Sequence, residues 1–220
     1  MPIQTVLFDL DGTLLDTARD MCTAMNTLLS QENKPPLPLD AIRPIVSQGG
    51  RALVQKAFDL PAEHKDFELL RDRFLNTYAQ NIAHQTELFD GMGDVLDYIE
   101  QRTMKWGVVT NKPAWLTDPL MHRMGLTQRA ACIVSGDTTA HRKPHPAPML
   151  HACSMVDTAP RDCLYVGDHQ RDIEAGKRAG TFTAVALFGY ISPQDNPEQW
   201  QADTMVTHPT HLMAWLEQYG

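Results

Sequence analysis

The stretch Val6-Leu7-Phe8-Asp9-Leu10-Asp11-Gly12-Thr13 constrains the fold of this chain more than any other part of it. An unbroken apolar run reads as a strand buried on both faces, and such strands belong to parallel sheets covered by helices. Here the run stops at two carboxylates two residues apart, followed by a glycine and a threonine. The expected first strand is Thr5–Phe8.

Further apolar runs follow at Trp106–Thr110, Ala131–Val134, Cys163–Val166 and Thr183–Leu187, with a short Met205-Val206 as a sixth. Helical patterns lie between them, at Gly91–Gln101, Pro113–Met124, Pro146–Met155, Asp172–Ala179 and Pro209–Tyr219. Strands separated by single helices give βαβ units and a doubly wound, Rossmann-like parallel sheet. One segment breaks the alternation. From Asp16 to Ala83 only helical periodicity appears, with Met21, Met25, Leu28 and Leu29 on one face and Phe67, Leu70, Phe74 and Tyr78 on another. The polar, proline-rich Gln31–Pro38 reads as a connector. The expected division is therefore an α/β core of residues 1–15 and 84–220 with an all-helical cap of residues 16–83 inserted in it.

Ligands of open α/β sheets bind outside the carboxyl ends of the strands. Asp9 and Asp11 stand at the first such end, Thr110 and Asn111 at the second, and Gly167, Asp168 and Asp172 at the fourth. The loop after the third strand carries His141-Arg142-Lys143-Pro144. Residues two apart on an extended backbone point the same way, which turns Asp9 and Asp11 to one cavity. Both stay charged only with a cation or a proton between them. With Asp168 as a third carboxylate, the group suits a hard cation such as Mg²⁺. Gly12 and Thr13 allow a tight turn whose N–H groups face phosphate oxygens. Thr110 supplies a hydroxyl donor and Lys143 a fixed positive charge. The expected chemistry is attack of Asp9 on phosphorus, with Asp11 as acid and then base, while the metal and Lys143 hold the developing charge. The net charge of −8 would otherwise repel an anionic substrate.

Plainer roles compete with each assignment. Asp168 and Asp172 also fit an N-cap and first-turn acid of one helix, Thr110-Asn111 an ordinary turn, and Lys143 a surface lysine. Arg51 suits either a bidentate hold on a substrate carboxylate or an exposed cap position. His141 and His145 lack further metal-ligand partners and read as a plain loop. Met21 and Met25 read as core.

Four segments resemble the haloacid-dehalogenase superfamily of phosphohydrolases: DLDGT at 9–13, VVTNK at 108–112, HRKPHP at 141–146 and VGDHQRDIEAG at 166–176. The resemblance implies Asp9 as nucleophile and Asp11 as acid/base. It implies Thr110 and Lys143 on the phosphoryl group with Asn111 nearby. Mg²⁺ would be held by Asp9, the Asp11 carbonyl and Asp168, with Asp172 in support. Within the superfamily the chain is similar to the phosphoglycolate phosphatase group and to bacterial N-acetylmuramic acid 6-phosphate phosphatases, through Ser47–Ala52, WGVVTNKP at 106–113 and FGYISPQDNPEQWQAD at 188–203. The last segment is expected to border the pocket. His169 departs from the usual small or acidic residue and is expected to face solvent. A sugar-phosphate mutase or a non-catalytic binding module on the same fold are the alternatives; retention of both Asp9 and Asp11 speaks against the latter.

The remaining expectations are a small phosphorylated metabolite as partner and a monomer or homodimer. Neither nucleic acid, for want of a basic patch, nor a membrane span or export leader is expected. The four cysteines show no CxxC spacing, which suits reduced thiols in the cytoplasm. Hinges are expected near Asp16-Thr17 and Ala83–Phe89.

Overall fold

The computed structural model describes residues 2–219. The chain opens with β1 (Thr5–Phe8) and β2 (Leu15–Asp16). A helical block follows: α1 (Ala18–Gln31), α2 (Leu39–Ile42), a 3-10 turn (Arg43–Gln48), α3 (Gly50–Phe58) and α4 (Phe67–Gln80). The chain then returns through β3 (Glu87–Leu88), α5 (Met92–Gln101), β4 (Lys105–Val109), α6 (Ala114–Arg123), β5 (Cys132–Val134) and α7 (Ala147–Met155). It ends with β6 (Cys163–Gly167), α8 (Gln170–Ala179), β7 (Phe182–Ala186), β8 (Thr204–Val206) and α9 (His211–Tyr219).

Six strands form one parallel sheet in the order β5-β4-β1-β6-β7-β8. Alternation along β1 divides the core. Val6 and Phe8 pack with Leu96, Leu120 and Leu212 on one face, and Leu7 with Tyr165, Met149 and Ala175 on the other. Both faces are covered, as a continuous apolar strand requires. Each such side chain contributes roughly 1.5–3 kcal/mol by leaving water. The central position of β1 sets Asp9 between the ends of β4 and β6.

The helical cap stands between β2 and β3, two residues each, which pair antiparallel at Leu15–Leu88 and Asp16–Glu87. Met21, Met25, Leu28 and Leu29 of α1 and Phe67, Leu70, Phe74 and Tyr78 of α4 are buried, as their spacing predicts. Residues 32–38 carry no regular element. The Asn26 side chain clamps them, accepting from Leu37 N at 2.8 Å and donating to Leu37 O at 2.9 Å. The return crossing is fastened by Asp20, whose carboxylate accepts from the N–H groups of His84, Gln85 and Thr86 at 2.9–3.1 Å and from the Thr86 hydroxyl at 2.7 Å.

The start of α8 differs from expectation for a local reason. α8 begins at Gln170, before Asp172, because His169 and Asp172 form a capping box: His169 Nδ1 accepts from Arg171 N at 3.3 Å and Asp172 Oδ2 from His169 N at 3.0 Å. All four cysteines are buried and unbridged. Among the described residues, no helix is long and apolar enough to cross a membrane.

Candidate active site

Asp9 is buried where β1 ends. Its Oδ1 accepts from Leu10 N at 2.7 Å and faces Lys143 Nζ at 2.9 Å. Lys143 is enclosed completely, its ammonium also 2.8 Å from Asp172 Oδ1. It donates to Val109 O at 2.9 Å and to the Tyr165 hydroxyl at 2.7 Å. A buried ammonium with no partner would be prohibitive; here its protons are all directed. Asn111 fixes the loop that delivers it, accepting from Lys143 N at 3.1 Å and donating to Lys143 O at 3.0 Å. The Asn111 amide thus fixes the backbone of Lys143, which does not itself line the cavity and reaches only Asp9 at its floor.

Asp168 completes a cluster with Asp9 and Asp172, in which one oxygen of each lies within 4.8 Å of the others. Burial and the neighbouring Asp9 and Asp172 carboxylates push Asp168 up to about 7. Burial also raises Asp9 against the pull of Lys143. Asp172 stays below the usual carboxylate range: burial opposes its charge, but Lys143 and Arg171 outweigh it. A cluster of buried hard oxygens with one ammonium among them fits a divalent cation, which would relieve the repulsion that raises Asp168.

Asp11 has its own counterion. Lys112 Nζ lies 2.9 and 3.1 Å from its two oxygens, and the Thr17 hydroxyl donates to it at 2.6 Å. Asp9 and Asp11 both line the cavity, and each faces a different lysine, Asp9 the Lys143 it shares with Asp172 and Asp11 its own Lys112. Lys112 also reaches the Tyr78 hydroxyl of α4 at 3.2 Å and sits 4.5 Å over its ring. Sequence reasoning assigned Lys112 no role; its place one residue beyond Thr110-Asn111 at a strand end was the available signal. Thr110 is buried, lines the cavity and accepts from Lys112 N at 3.1 Å, leaving its own proton to donate.

In the tight turn, the Gly12 N–H is engaged locally, while the Thr13 N–H has no hydrogen-bond partner among the described residues. The Gly12 N–H donates to Leu15 O at 3.0 Å, within the turn itself. Gly12 has φ +87°, and a Cβ there would overlap Asp168 Oδ2 and come within 2.7 Å of the Tyr190 ring. The residue is glycine because the Asp168 carboxylate lies against it. Thr13 is buried, with its hydroxyl 3.5 Å from Asp168 Oδ1.

Besides Lys112, two more residues come from outside the expected set. Ser47, in the 3-10 turn of the cap, donates to Asp168 Oδ2 at 2.6 Å and lies 3.2 Å from Asp11 O. Arg171, in the first turn of α8, donates to Ser47 O and lines the cavity. Its Nε is buried without a partner.

Arg51 borders the same cavity, half-exposed, paired with Glu68 and lying 4.9 Å over the Phe67 ring. The segment 188–203 does not line the cavity. It buttresses the site from behind instead: Tyr190 N donates to Asp168 Oδ2 at 2.9 Å, and the Tyr190 hydroxyl bonds Asp16 at 2.7 Å. His169 is half-buried, with one side against Trp200, ring centroids 6.5 Å apart. Burial and Arg171 lower its pKa.

The cavity between cap and core measures about 420 Å³. Its floor carries Asp9, Thr110 and Lys112, and its roof Phe74, Leu75 and Arg71.

Known proteins resemble this chain in sequence and fold. The profile of the haloacid dehalogenase-like hydrolases matches residues 6–186. The N-acetylmuramic acid 6-phosphate phosphatase of Pseudomonas putida strain KT2440 is 43% identical over 212 residues, covering 96% of this chain and 95% of that one. The phosphoglycolate phosphatase of Xanthomonas campestris pv. campestris strain 8004 is 44% identical over 210 residues, covering 95% and 94%. A crystal structure of a predicted phosphoglycolate phosphatase from Haemophilus somnus 129PT superposes with a TM-score of 0.84 at 25% identity, over 97% of this chain and 98% of that one. A profile match from the first strand to the end of β7, with such relatives across nearly the whole length, places the chain in the haloacid dehalogenase-like hydrolase family.

Proposed function

We propose that this chain is a Mg²⁺-dependent phosphomonoesterase that works through an aspartyl-phosphate on Asp9, and that its substrate is N-acetylmuramic acid 6-phosphate. The observation that carries the chemistry is Asp9, buried on the cavity floor with Lys143 held 2.9 Å away by a closed set of partners. A carboxylate attacks phosphorus best when its position is fixed in advance. Asp9 attacks the phosphoryl group while Asp11, ion-paired with Lys112 in the resting site, takes the proton of the monoanionic phosphate ester as it binds and passes it to the leaving oxygen; Asp11 then takes a proton from the water that cleaves the acyl phosphate. Thr110 donates its hydroxyl to a phosphoryl oxygen. Lys143 keeps Asp9 aimed and adds positive charge beside the equatorial oxygens. Asp9, the Asp11 carbonyl and Asp168 would hold the metal, with Asp172 supporting through Lys143. The metal supplies charge neutralisation for the phosphoryl oxygens.

Residues 16–83 act as the cap that closes over the substrate, and residues 1–15 and 84–220 as the catalytic core. Closure excludes bulk water from the acyl phosphate. The enzyme works in the cytoplasm, as a monomer or homodimer, on a small phosphorylated metabolite.

The cavity supports the choice of substrate. At about 420 Å³ it falls in the range of sites that enclose ligands of sugar size, ~300–1,000 Å³. Apolar Phe74, Leu75, Trp115 and Leu116 line it beside the polar floor, as an acetylated sugar requires. The relatives named for N-acetylmuramic acid 6-phosphate point the same way. Phosphoglycolate is the second reading. Relatives of equal identity carry that name, and Arg51 at the rim offers a guanidinium to its carboxylate once Glu68 releases it.

Phosphate release from the two substrates side by side, with Mg²⁺, decides between them. An amino-sugar kcat/KM higher by ~100-fold, about 2.7 kcal/mol of transition-state binding, is the expected result; the reverse ratio would install phosphoglycolate. Asp9→Asn is expected to abolish turnover of both, and unchanged turnover would remove Asp9 as nucleophile.

A further inference from the structure

We infer that Ser47 is a positioning residue that links cap closure to metal affinity; the inference rests on the metal-dependent reading of the site. Ser47 belongs to the cap, in the turn just before Gly49, yet its hydroxyl contacts two core groups. It donates to Asp168 Oδ2 at 2.6 Å and lies 3.2 Å from the backbone oxygen of Asp11. Asp168 Oδ2 also accepts from Tyr190 N at 2.9 Å. That oxygen is therefore saturated by two donors. The other, Oδ1, has only the Thr13 hydroxyl at 3.5 Å, too long for a strong bond. The two oxygens of one carboxylate are thus given different tasks. Oδ2 is tied down, and Oδ1 remains for a cation.

A ligating carboxylate whose second oxygen is hydrogen-bonded is fixed in rotation and binds better than a free one. Tyr190 N is part of the core and supplies its bond whatever the cap does. Ser47 supplies its bond only when the cap is closed. The backbone of Ser47 is seated by the same closure, since Arg171 of the core donates to its carbonyl oxygen. Nothing else from the cap is hydrogen-bonded to Asp168 among the described residues. Closing the cap therefore completes the orientation of one metal ligand, and binding of metal must favour the closed cap by the same factor.

The test is calorimetric titration of Mg²⁺ into the full chain with and without saturating inorganic phosphate. For the wild type, phosphate is expected to tighten Mg²⁺ binding. Ser47→Ala is expected to weaken Mg²⁺ binding in the presence of phosphate by ~10–100-fold, and to change it little without phosphate. Ser47→Thr keeps the hydroxyl and is expected to restore most of the loss, which a simple packing defect would not permit. Equal Mg²⁺ affinity for wild type and Ser47→Ala in phosphate overturns the inference while leaving the metal-dependent enzyme intact. Failure of the wild type to bind Mg²⁺ at all overturns both.

Discussion

At the residue scale, Lys112 supplies the counterion of Asp11, a role that no sequence motif announced. Its side chain is 4% exposed, and that of Asp11 is 13%. Removing one partner of a buried ion pair strands the other charge, at a typical cost of ~3–5 kcal/mol. Asp11 keeps the Thr17 hydroxyl at 2.6 Å and some contact with solvent, so Lys112→Met should cost about 3 kcal/mol, at the low end. Turnover should fall about 100-fold, the low side of what a misplaced acid/base group forfeits. Urea unfolding and steady-state rates check both. The double variant Lys112→Met with Asp11→Asn separates pairing from packing, because it removes the stranded charge. It should be more stable than Lys112→Met alone, and additive losses would show that the two residues are not coupled.

At the element scale, each strand and helix of the core was legible because periodicity and strand-end chemistry agreed. Val6, Leu7 and Phe8 are buried on both faces, as their unbroken run implies, and Phe67, Leu70, Phe74 and Tyr78 lie on one buried stripe of α4. Asp9, Asp168 and Lys143 converge because β1 lies between β4 and β6, an order that a βαβ pattern suggests. The β2–β3 pair escaped detection, since two residues cannot show a period. Ser47, Arg171 and Tyr190 escaped because their roles arise from contacts across 121, 124 and 22 residues of chain, which no local pattern encodes. Asp20 is a similar case. It is 2% exposed and fastens the return crossing through its carboxylate. Asp20→Ala leaves Thr86 N and its hydroxyl without a partner inside the protein, while His84 and Gln85, both exposed, turn to water. Unmet buried groups cost ~1–3 kcal/mol each, so a loss of ~2–3 kcal/mol in urea is expected, with an unchanged slope. A loss below 0.5 kcal/mol, roughly the scale of a neutral surface change, would show that the crossing is held by β2–β3 pairing alone.

At the scale of the whole molecule, the cap is continuous with the core on one side and separable from it on the other. Leu14, Met21, Leu28 and Phe74 belong to the same apolar cluster as Val6, Phe8 and Leu96. Across the cavity, by contrast, polar contacts join the two: Ser47 to Asp168, Arg171 to Ser47 O, and Lys112 to Tyr78. Apolar burial is forgiving of small rotations, whereas a hydrogen bond weakens steeply as its angle falls. Motion should therefore pivot on the β2–β3 neck and part the cavity wall, leaving the apolar side packed. Hydrogen exchange measures this directly. Adding Mg²⁺ with inorganic phosphate should slow exchange in the turn at 43–50 and the crossing at 84–88, at times before the central strand 163–167 exchanges with or without the ligand. A ligand that merely stabilised the native state would slow the globally exchanging amides of the sheet together by one factor. Slowing confined to the turn and the crossing requires local opening at the neck. Uniform slowing would mean that the cap and core open only by unfolding.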